Sequence, residues 1–410
     1  MKIEELWQNP LKSLQYMERY INDGSPSGFT EKFRTSLPTD PFGNAEYFFL
    51  LMFESDANMF DYYGNFDLNH RIANNSFLVH PDMSEHKDLN HLTLFKSDEW
   101  RVVPTASART VQIMDMKSDY IKLYYDGIIG RINRRLPRKK AVNGPEISHM
   151  ILKAIEFGLL PENLAILHEP FAKIYRNPQI ENRDEDWALT WREERPRGRN
   201  TQHINVMLPL FSLWSRDRRA PGHVPFFQQF SRIWGSRTDG LVTEKILYGI
   251  LDIYFSLIIK LGLQDELNAQ NILIGFDKDY EPISIVVRDM MGVEKDITIR
   301  ESLGLDNNFS AISYKVIAKS INPELYIKRH SFAFDFKLST YVLDPIIVCG
   351  HTFGVWDYAK KKQQIKSMAA QFIRSLPDDY FPPKGKWYSH RQELLVDGKI
   401  YIENENPMYR

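Results

Sequence analysis

One apolar segment constrains the fold of this 410-residue chain more than any other feature. Residues 246–263 are apolar on nearly every side of a helix, which is typical of a helix buried in a large core. Asp252 and Lys260 interrupt the segment, so it contains no charge-free run of the roughly 18 residues that span a bilayer. Glu4 and Glu5 stand where a signal peptide would need apolar residues. We therefore expect a soluble, cytoplasmic protein with a large core.

The composition is that of an ordinary globular protein. Apolar residues make up 43% of the chain and charged residues 26%, which excludes a disordered chain, a collagen and a coiled coil. The 52 basic and 53 acidic side chains leave a net charge of -1, so a polycation that coats nucleic acid or anionic lipid is not expected. Cys349 is the single cysteine, which excludes a disulfide framework, a cysteine-based zinc site and an iron–sulfur cluster. An enzyme of cytosolic type fits these limits.

Hydrophobic patterning predicts an α+β protein with little sign of alternating βαβ units. The aromatic run at 45–60 predicts a core helix, a second helix is predicted after Gly144-Pro145, and 224–263 is predicted to be largely helical. Residues 177–203 are rich in arginine and contain Asn177-Pro178, so they predict a long loop. Short strands are predicted at 74–80, 102–103, 111–125, 271–277 and 283–289.

A phosphate-binding loop is predicted directly after an extended segment. Ser107, Arg109 and Thr110 place two hydroxyl groups and one guanidinium within four residues. Such converging donors, with one permanent positive charge, suit a phosphate chain. A Ser/Thr-rich turn with one solvated arginine remains the alternative for this short motif.

Basic side chains are concentrated after this loop. Lys122 is followed by six basic residues between 131 and 140, Arg134 among them, and Arg192 begins a second cluster in the predicted long loop. A solvated face or a nucleic-acid patch is the alternative, but residues 131–140 contain no aromatic ladder for stacking bases. We therefore expect the charge to serve a particular polyanion, of which a nucleoside triphosphate is the commonest, with the second cluster closing over it.

Hard oxygen ligands stand at the ends of two adjacent predicted strands. Glu266 and Asn271 precede the first strand, and Asp289 follows the second. Two carboxylates and an amide oxygen suit Mg²⁺ that bridges phosphates, and kinases use an Asn and an Asp in this way. The alternative is a pair of hairpin ends with ordinary turn carboxylates. No P-loop, Rossmann, zincin or hydrolase-elbow motif occurs in the sequence.

Several short motifs follow one another in an order that is more specific than any one of them. They are Phe77–Pro81, Pro104–Thr110, Lys122, Arg134, Asn143–Ser148, Glu169, Arg192, Glu266–Asn271 and Asp289. This order resembles that of the NRPS-independent siderophore synthetases, the aerobactin-synthetase-like (IucA/IucC) family. The first, second and eighth motifs are similar to the family's PVHPWQ, PTSSxRT and EAHGQN. The resemblance runs from about residue 74 to the end of the chain.

The resemblance implies an architecture and an activity. The architecture is a hand with fingers, palm and thumb, in which the palm is distantly similar to kinases. We accordingly expect a shortened, thumb-like segment at 1–75, a fingers-like ATP-binding region at 76–215, and a palm-like region with the metal site and a helical C-terminus at 216–410. The activity is ATP-dependent ligation of a polycarboxylic acid such as citrate to an amine or alcohol through an acyl-adenylate, in siderophore or metallophore biosynthesis. A homodimer is a further implication.

The resemblance also implies a role for each site residue. The residues that would hold ATP are Ser107, Arg109, Thr110, Lys122 and Arg192. The residues that would hold Mg²⁺ are Glu266, Asn271 and Asp289. The candidate catalytic residues are Arg134, Lys122 and Asn268, of which Arg134 would face the acid and the charge that develops at the α-phosphorus. The partners would be small-molecule acids and amines or alcohols, with neither nucleic acid nor a membrane.

Two departures from the family pattern leave alternatives open. Asn268 replaces the family's histidine, and an amide cannot carry a proton or a positive charge near neutral pH. The family's upstream GHPxHPxxKxRxGF segment has no counterpart before His80. A kinase-like phosphotransferase that releases ADP, and a nucleotide-binding pseudoenzyme that scaffolds a partner, are therefore the alternatives.

Overall fold

A computed structural model describes residues 1–22, 39–65, 72–114, 118–129, 132–310, 314–390 and 400–410. The strands begin with β1 (Phe48–Glu54), β2 (Phe60–Gly64), β3 (Ser76–Val79), β4 (Phe95–Pro104), β5 (Thr110–Ile113), β6 (Tyr120–Lys122) and β7 (Ile128–Ile129). They continue with β8 (Ile132–Asn133), β9 (Leu164–Ile166), β10 (Phe171–Tyr175), β11 (Trp187–Arg192), β12 (Arg197–Gly198), β13 (Val206–Pro209) and β14 (Leu263–Gln264). They end with β15 (Ile272–Phe276), β16 (Pro282–Val287), β17 (Glu294–Asp296), β18 (Val316–Ile317), β19 (Trp387–His390) and β20 (Tyr401–Asn404).

Helices and strands lie in separate stretches along most of the chain, which is the α+β arrangement that was predicted. The first five are α1 (Ile3–Gln8), α2 (Pro10–Tyr20), α3 (Arg138–Glu156), α4 (Phe226–Trp234) and α5 (Thr238–Gly240). They are followed by α6 (Tyr248–Leu261), α7 (Ile297–Ser302), α8 (Pro323–Ser331), α9 (Asp344–Thr352) and α10 (Tyr358–Ile373). Two π-helical segments, Leu241–Leu247 and Phe332–Leu343, join α5 to α6 and α8 to α9. Within the described ranges, every helix is too short or too polar to cross a bilayer.

The larger sheet has eight antiparallel strands in the order β2-β10-β11-β6-β5-β4-β1-β3. The core helix predicted at 45–60 is wrong, because Phe48–Glu54 forms β1, which pairs with β3 on one side and β4 on the other. The phenylalanines of β1 have high β-propensity. The hydrogen bonds to a strand on each side favour the strand over the helix that the apolar pattern indicated. Strands β3, β5 and β6 confirm the short strands predicted in this region.

The prediction of a long loop at 177–203 is also wrong for the central residues of this range. Residues 187–192 form β11, which is buried along its whole length and pairs with β10 and β6. The sequence of this strand carries two tryptophans that face the core, but the arginines and Asn177-Pro178 around it hide the strand pattern. Arg192 therefore lies on a strand in the middle of the sheet, and not on a mobile cover.

The smaller sheet has five strands in the order β12-β9-β16-β15-β13, with β16 and β9 parallel and the other pairs antiparallel. Strands β15 and β16 are the hairpin predicted from residues 271–289, and Ile272 lies opposite Val287. Because the first residue of β15 lies opposite the last residue of β16, the residues just before β15 and just after β16 meet at the same end of the sheet.

Most of the apolar segment at 246–263 forms α6, which is buried in the larger of two hydrophobic clusters. This cluster also contains α1, α2 and the smaller sheet, whereas the second cluster surrounds the eight-stranded sheet. Gly262 ends α6 in the left-handed conformation (φ +58°), which glycine adopts without strain. The helix confirms the prediction of a large core.

Helix α3 joins the two clusters. Ala141 and Val142 pack in the cluster of the larger sheet, and Ile147 and Ile151 in the other. The helix begins at Arg138, so the start predicted after Gly144-Pro145 is too late. Gly144 is required for a close approach, because a Cβ at this position would lie 2.4 Å from Glu169 Oε2. The domain bounds expected at 75 and 215 stay a prediction.

Candidate active site

A polar cleft of about 850 Å³ is formed by residues of both large sheets. It is lined by all the residues predicted for ATP, metal and catalysis, namely Ser107, Arg109, Thr110, Lys122, Arg134, Arg192, Glu266, Asn268, Asn271 and Asp289. Five of the first six come from the eight-stranded sheet and its loops, and Arg134 follows the small β7–β8 hairpin. The last four come from the ends of the β15–β16 hairpin. Two motif groups that are far apart in sequence thus face each other.

The loop between β4 and β5 is shaped by its own hydroxyl groups. The backbone N–H of Thr105 donates to Thr110 O (3.1 Å), and the Thr105 hydroxyl donates to the same oxygen (2.8 Å). The Ser107 hydroxyl accepts from the backbone N–H of Thr110 (3.2 Å). Ala108 has φ +55°, a left-handed conformation that is uncommon for alanine and is held by these bonds. The turn therefore presents Arg109 to the cleft in a fixed position.

Crowded cations give the cleft its positive side. Burial, aided by Arg134, lowers the pKa of the Arg109 guanidinium to about 9. Burial lowers the pKa of Lys122 to about 8, and Arg109 and Arg192 act in the same direction. An anion in the cleft would stabilise the charged form of each group. The positive side of the cleft therefore suits a polyanion such as a triphosphate.

Acidic side chains neutralise part of this charge. Lys122 Nζ lies 2.5 Å from Asp289 Oδ1, and Arg192 Nη2 lies 3.7 Å from the same oxygen. Arg192 also donates through Nε (3.1 Å) and Nη2 (2.7 Å) to Glu169 Oε1. Burial alone would raise the pKa of Asp289, but Lys122 and Arg192 hold it well below its usual range. Burial raises the pKa of Glu169, and Arg192 opposes the change.

The hairpin end places oxygen donors opposite the cations. Asn268 Oδ1 accepts from the backbone N–H groups of Gln270 (2.9 Å) and Asn271 (3.2 Å), so its amide shapes the turn. The amide nitrogen of Asn271 donates to Glu266 O (3.4 Å), and no described residue donates to its amide oxygen. Asp289 has φ +74°, a strained conformation of the kind found at functional sites.

The donor set fits Mg²⁺ that is shared with a nucleotide. Within the described ranges, no group of three or more His, Cys, Asp or Glu side chains could hold a metal ion alone. Mg²⁺, however, commonly takes one or two carboxylates together with substrate phosphates, in place of a cage made only of protein. Glu266, Asn271 and Asp289 supply hard oxygens of this kind beside the cationic wall.

The basic run at 131–140 does not face the cleft as a whole, contrary to expectation. Arg135 pairs with Asp126 (2.6 Å), Arg138 with Asp61 (2.7 Å), and Lys139 with Glu185. Arg134 lines the cleft, and Arg131 lies outside the described residues. Three of these basic side chains are therefore neutralised by acidic side chains outside the cleft, and the sequence spacing of the residues does not predict these pairs.

The cleft also contains residues that the motifs did not predict as site residues. They are Thr105, Tyr120, Gln270, Arg288 and Lys337. Lys337 Nζ lies 3.2 Å from Glu266 Oε1, and Arg288 Nη2 lies 2.6 Å from Glu18 Oε1 on α2. The one sequence feature that could have identified Lys337 as a site residue is its place as a single lysine in the apolar segment Phe332–Leu343. No sequence feature predicts that Arg288 forms an ion pair with Glu18, which lies more than 250 residues earlier in the chain.

The comparisons with known proteins concern the family and the fold. Residues 75–213 match the model of the IucA / IucC family. The fold is similar to that of ATP-bound aerobactin synthetase IucA from a hypervirulent pathotype of Klebsiella pneumoniae, with TM-score 0.67, 14% identity, and coverage of 88% of this chain and 70% of that one. It is also similar to petrobactin biosynthesis protein AsbB from Bacillus anthracis, with TM-score 0.71, 14% identity, and coverage of 97% and 75%.

Aerobactin synthetase IucC from Klebsiella pneumoniae is a third similar structure, with TM-score 0.60, 14% identity, and coverage of 90% and 70%. No curated protein matches the chain in sequence. The family match covers the loop with Ser107 and Arg109 as well as Arg192, but not the hairpin with Asp289. The predicted resemblance is confirmed, since residues 75–213 match the IucA / IucC family and the chain has the fold of siderophore synthetases.

Proposed function

We propose that the protein is an ATP-dependent, AMP-forming ligase that joins a polycarboxylic acid to an amine or alcohol in siderophore biosynthesis. One observation carries this proposal. The phosphate loop and cations of the larger sheet meet the oxygen donors of the β15–β16 hairpin in one cleft. The ATP-bound aerobactin synthetase with the same fold supports the assignment of a nucleotide to this cleft.

The first half-reaction needs no nucleophile from the protein. A carboxylate oxygen of the acid attacks the α-phosphorus of ATP, a C–O–P linkage forms, and the bond from the α-phosphorus to the bridging oxygen breaks. Pyrophosphate leaves with that electron pair. Ser107, Arg109, Thr110, Lys122 and Arg192 would bind the triphosphate. Arg134, directly beside Arg109, would stabilise the charge that develops at the α-phosphorus.

The second half-reaction transfers the acyl group. The lone pair of an amine nitrogen or alcohol oxygen attacks the activated carbonyl carbon, the new bond to carbon forms, and the carbon–oxygen bond to AMP breaks. AMP leaves as an anion, and the surplus proton of the nucleophile passes to solvent. Positioning and electrostatic stabilisation suffice for both steps, which is consistent with a site built of arginine, lysine and carboxylates.

Glu266, Asn271 and Asp289 would hold Mg²⁺, which when bound would neutralise negative charge on the phosphates. Without the ion, Asp289 pairs with Lys122 and Arg192. The same two cations are the proposed phosphate ligands. Nucleotide binding must therefore exchange the partners of Lys122 and Arg192 from carboxylate to phosphate.

A product assay tests the proposal. The protein is incubated with ATP, Mg²⁺, citrate or 2-oxoglutarate, and a panel of amines and alcohols, and the nucleotide products are separated. We expect AMP and pyrophosphate in equal amounts, formed only when an acid is present, and their loss in Arg134→Ala. ADP without pyrophosphate would support the kinase-like alternative, and tight ATP binding without any product would support a scaffold.

A further inference from the structure

A second cavity, of about 1270 Å³, lies between α3, the end of β2 and the segment that joins β9 to β10. Among the described residues, none lines both this cavity and the ATP cleft. The apolar part of its wall includes Pro145 and Leu152 of α3 and Pro170 of the joining segment. The proposed ligase reaction therefore makes no use of this space.

Basic side chains from three parts of the chain line the second cavity. His149 and Lys153 lie one turn apart on α3, His168 lies in the joining segment, and Arg197 lies on β12. Arg197 donates through Nε and Nη2 to Glu193 (2.5 Å each), and its Nη1 has no described partner. Burial lowers the pKa of His168 to about 4, and Arg197 and His149 act in the same direction. An anion beside His168 would offset this repulsion.

The acidic side chains of the second cavity stand apart from His168. Glu146 Oε1 accepts from the backbone N–H (2.8 Å) and the hydroxyl (2.9 Å) of Ser310. Burial lowers the pKa of Lys295 to about 8, and Glu146 opposes this change, so the two charges lie close together. Glu156 lies about two turns along α3 from His149. Both carboxylates therefore leave the basic group available to a ligand.

The hydrogen bonds of Ser148 fix the proton of His168. Ser148 Oγ accepts from the backbone N–H of Glu169 (2.9 Å), and its hydroxyl donates to His168 Nδ1 (2.7 Å). In this tautomer the ring proton of His168 is on Nε2. No described residue is a partner of Nε2, and this atom is not fully buried. Nε2–H is therefore available as a donor to a ligand in the second cavity.

We propose that the second cavity is a regulatory site for a small organic carboxylate with an apolar body. The carboxylate accepts from His168 Nε2–H and lies beside His149 and Arg197. The apolar body packs against Leu152 and Pro170. An amine would meet cations here, and inorganic phosphate has no apolar body to bury, so neither class fits the site. The ligand takes part in neither half-reaction, and the inference goes beyond the proposed ligase function.

Ser148 connects this site to the ATP cleft. Its hydroxyl bonds to His168 on the cavity side and to the backbone of Glu169, whose carboxylate holds Arg192. A carboxylate bound to His168 adds a contact to the joining segment and so holds Glu169 and Arg192 in place for the triphosphate. Because coupling between two sites is reciprocal, the nucleotide and the carboxylate each tighten the binding of the other.

Calorimetry with cyclohexanecarboxylate as the probe tests the site. Cyclohexanecarboxamide has the same shape without the charge, and acetate has the charge without the ring. The titrations are done with and without α,β-methylene-ATP and Mg²⁺, since the methylene group prevents the release of pyrophosphate. We expect cyclohexanecarboxylate to bind at least tenfold more tightly than either control ligand. Its Kd should fall at least twofold when the nucleotide is present.

Two variants locate the bound probe. His168→Asn removes Nε2 but keeps an acceptor for the Ser148 hydroxyl, and His149→Gln changes an exposed side chain on α3. His203→Gln is the matched control, because this histidine is exposed and does not line the second cavity. We expect the Kd of the probe to rise at least fivefold in His168→Asn and at least twofold in His149→Gln. The control should bind as the wild type does.

Several results would overturn the inference. One is equal binding of the carboxylate and the carboxamide by the wild type. Another is wild-type affinity in His149→Gln, which decides the matter if His168→Asn lowers the Tm. Weaker binding in the presence of the nucleotide would place the probe in the ATP cleft, and an unchanged Kd would overturn the regulatory role. None of these measurements needs turnover, so a failure of the ligase proposal in the product assay is a separate result.

Discussion

Lys122 and Asp289 form an ion pair that joins the two large sheets, with Lys122 Nζ 2.5 Å from Asp289 Oδ1. Lys122 ends β6 in the eight-stranded sheet, and Asp289 follows β16 in the five-stranded sheet, 167 residues later. The pair brings a proposed phosphate ligand and a proposed metal ligand into direct contact. Its two members must separate when a triphosphate and Mg²⁺ enter the cleft.

Asp289→Asn should separate nucleotide binding from catalysis. Removing the carboxylate frees Lys122 and takes one negative charge from the cleft, so ATP affinity in EDTA should be unchanged or higher. Acid-dependent pyrophosphate release should fall at least 100-fold, because the charge on the phosphates is no longer offset. Calorimetry of ATP binding and a pyrophosphate assay measure the two effects. Asp279→Asn, in the exposed turn between β15 and β16, is the control, and weaker ATP binding in EDTA by Asp289→Asn would contradict the account.

Gly144→Ala should impair ATP use from outside the cleft. The new Cβ would lie 2.4 Å from Glu169 Oε2 and 2.8 Å from Met291 Cγ, so Glu169 must shift and release Arg192. We expect the KM for ATP to rise about tenfold, which corresponds to about 1.4 kcal/mol of binding energy. Gly240→Ala is the matched control, since its Cβ would meet no atom within 4 Å. An unchanged KM in Gly144→Ala would show that Glu169 does not position Arg192.

Lys173 makes the stability depend on pH. Its Nζ is buried under β2 and donates to Ala73 O (2.8 Å) and Asn74 O (3.3 Å), and burial lowers its pKa to about 7. An unfolded lysine keeps its proton up to a pH of about 10.4, so the unfolded chain binds more protons above pH 7. The free energy of unfolding contributed by this group therefore rises with pH from about 7 towards 10.

Lys173→Met removes this contribution. We expect the variant to be more stable than the wild type at pH 7, by on the order of 1 kcal/mol, because no charge must then be buried. The difference should shrink between pH 7 and pH 9 as the wild-type lysine loses its proton in the folded state. Urea unfolding of both proteins at pH 7, 8 and 9 measures it, and parallel curves would contradict the pKa shift.

Sequence patterns correctly predicted the elements whose structure is determined by residues close together in the chain. The all-round apolarity of 246–263 indicated the buried helix α6, and the strands around Asn271 and Asp289 followed from their apolar runs and the turn between them. The candidate site residues could be gathered because the order of several short motifs resembles that of the IucA / IucC family, which implied a role for each residue. Long-range partners could not be foreseen.

The wrong predictions concern residues whose strand or ion-pair partners lie far away in the sequence. Residues 48–54 are a strand because β3 and β4 flank them, a condition that the run itself does not express. Arg135 and Arg138 were expected to face a polyanion, but they form ion pairs with Asp126 and Asp61. No sequence pattern indicates these two pairings. Asn268 was a candidate catalytic residue because it replaces the histidine of the family's EAHGQN motif. Its amide oxygen shapes the turn before Asn271, and its catalytic role stays a prediction.

Transfer of ¹⁸O from the acid to AMP tests the central claim most directly. Citrate, or the acid that proves active in the product assay, is labelled with ¹⁸O in its carboxylates and incubated with ATP, Mg²⁺ and the amine, and the AMP is analysed by mass spectrometry. Attack of the carboxylate on the α-phosphorus predicts one ¹⁸O atom in each AMP formed and none in pyrophosphate. Unlabelled AMP, or ADP with label in inorganic phosphate, would contradict an acyl-adenylate intermediate.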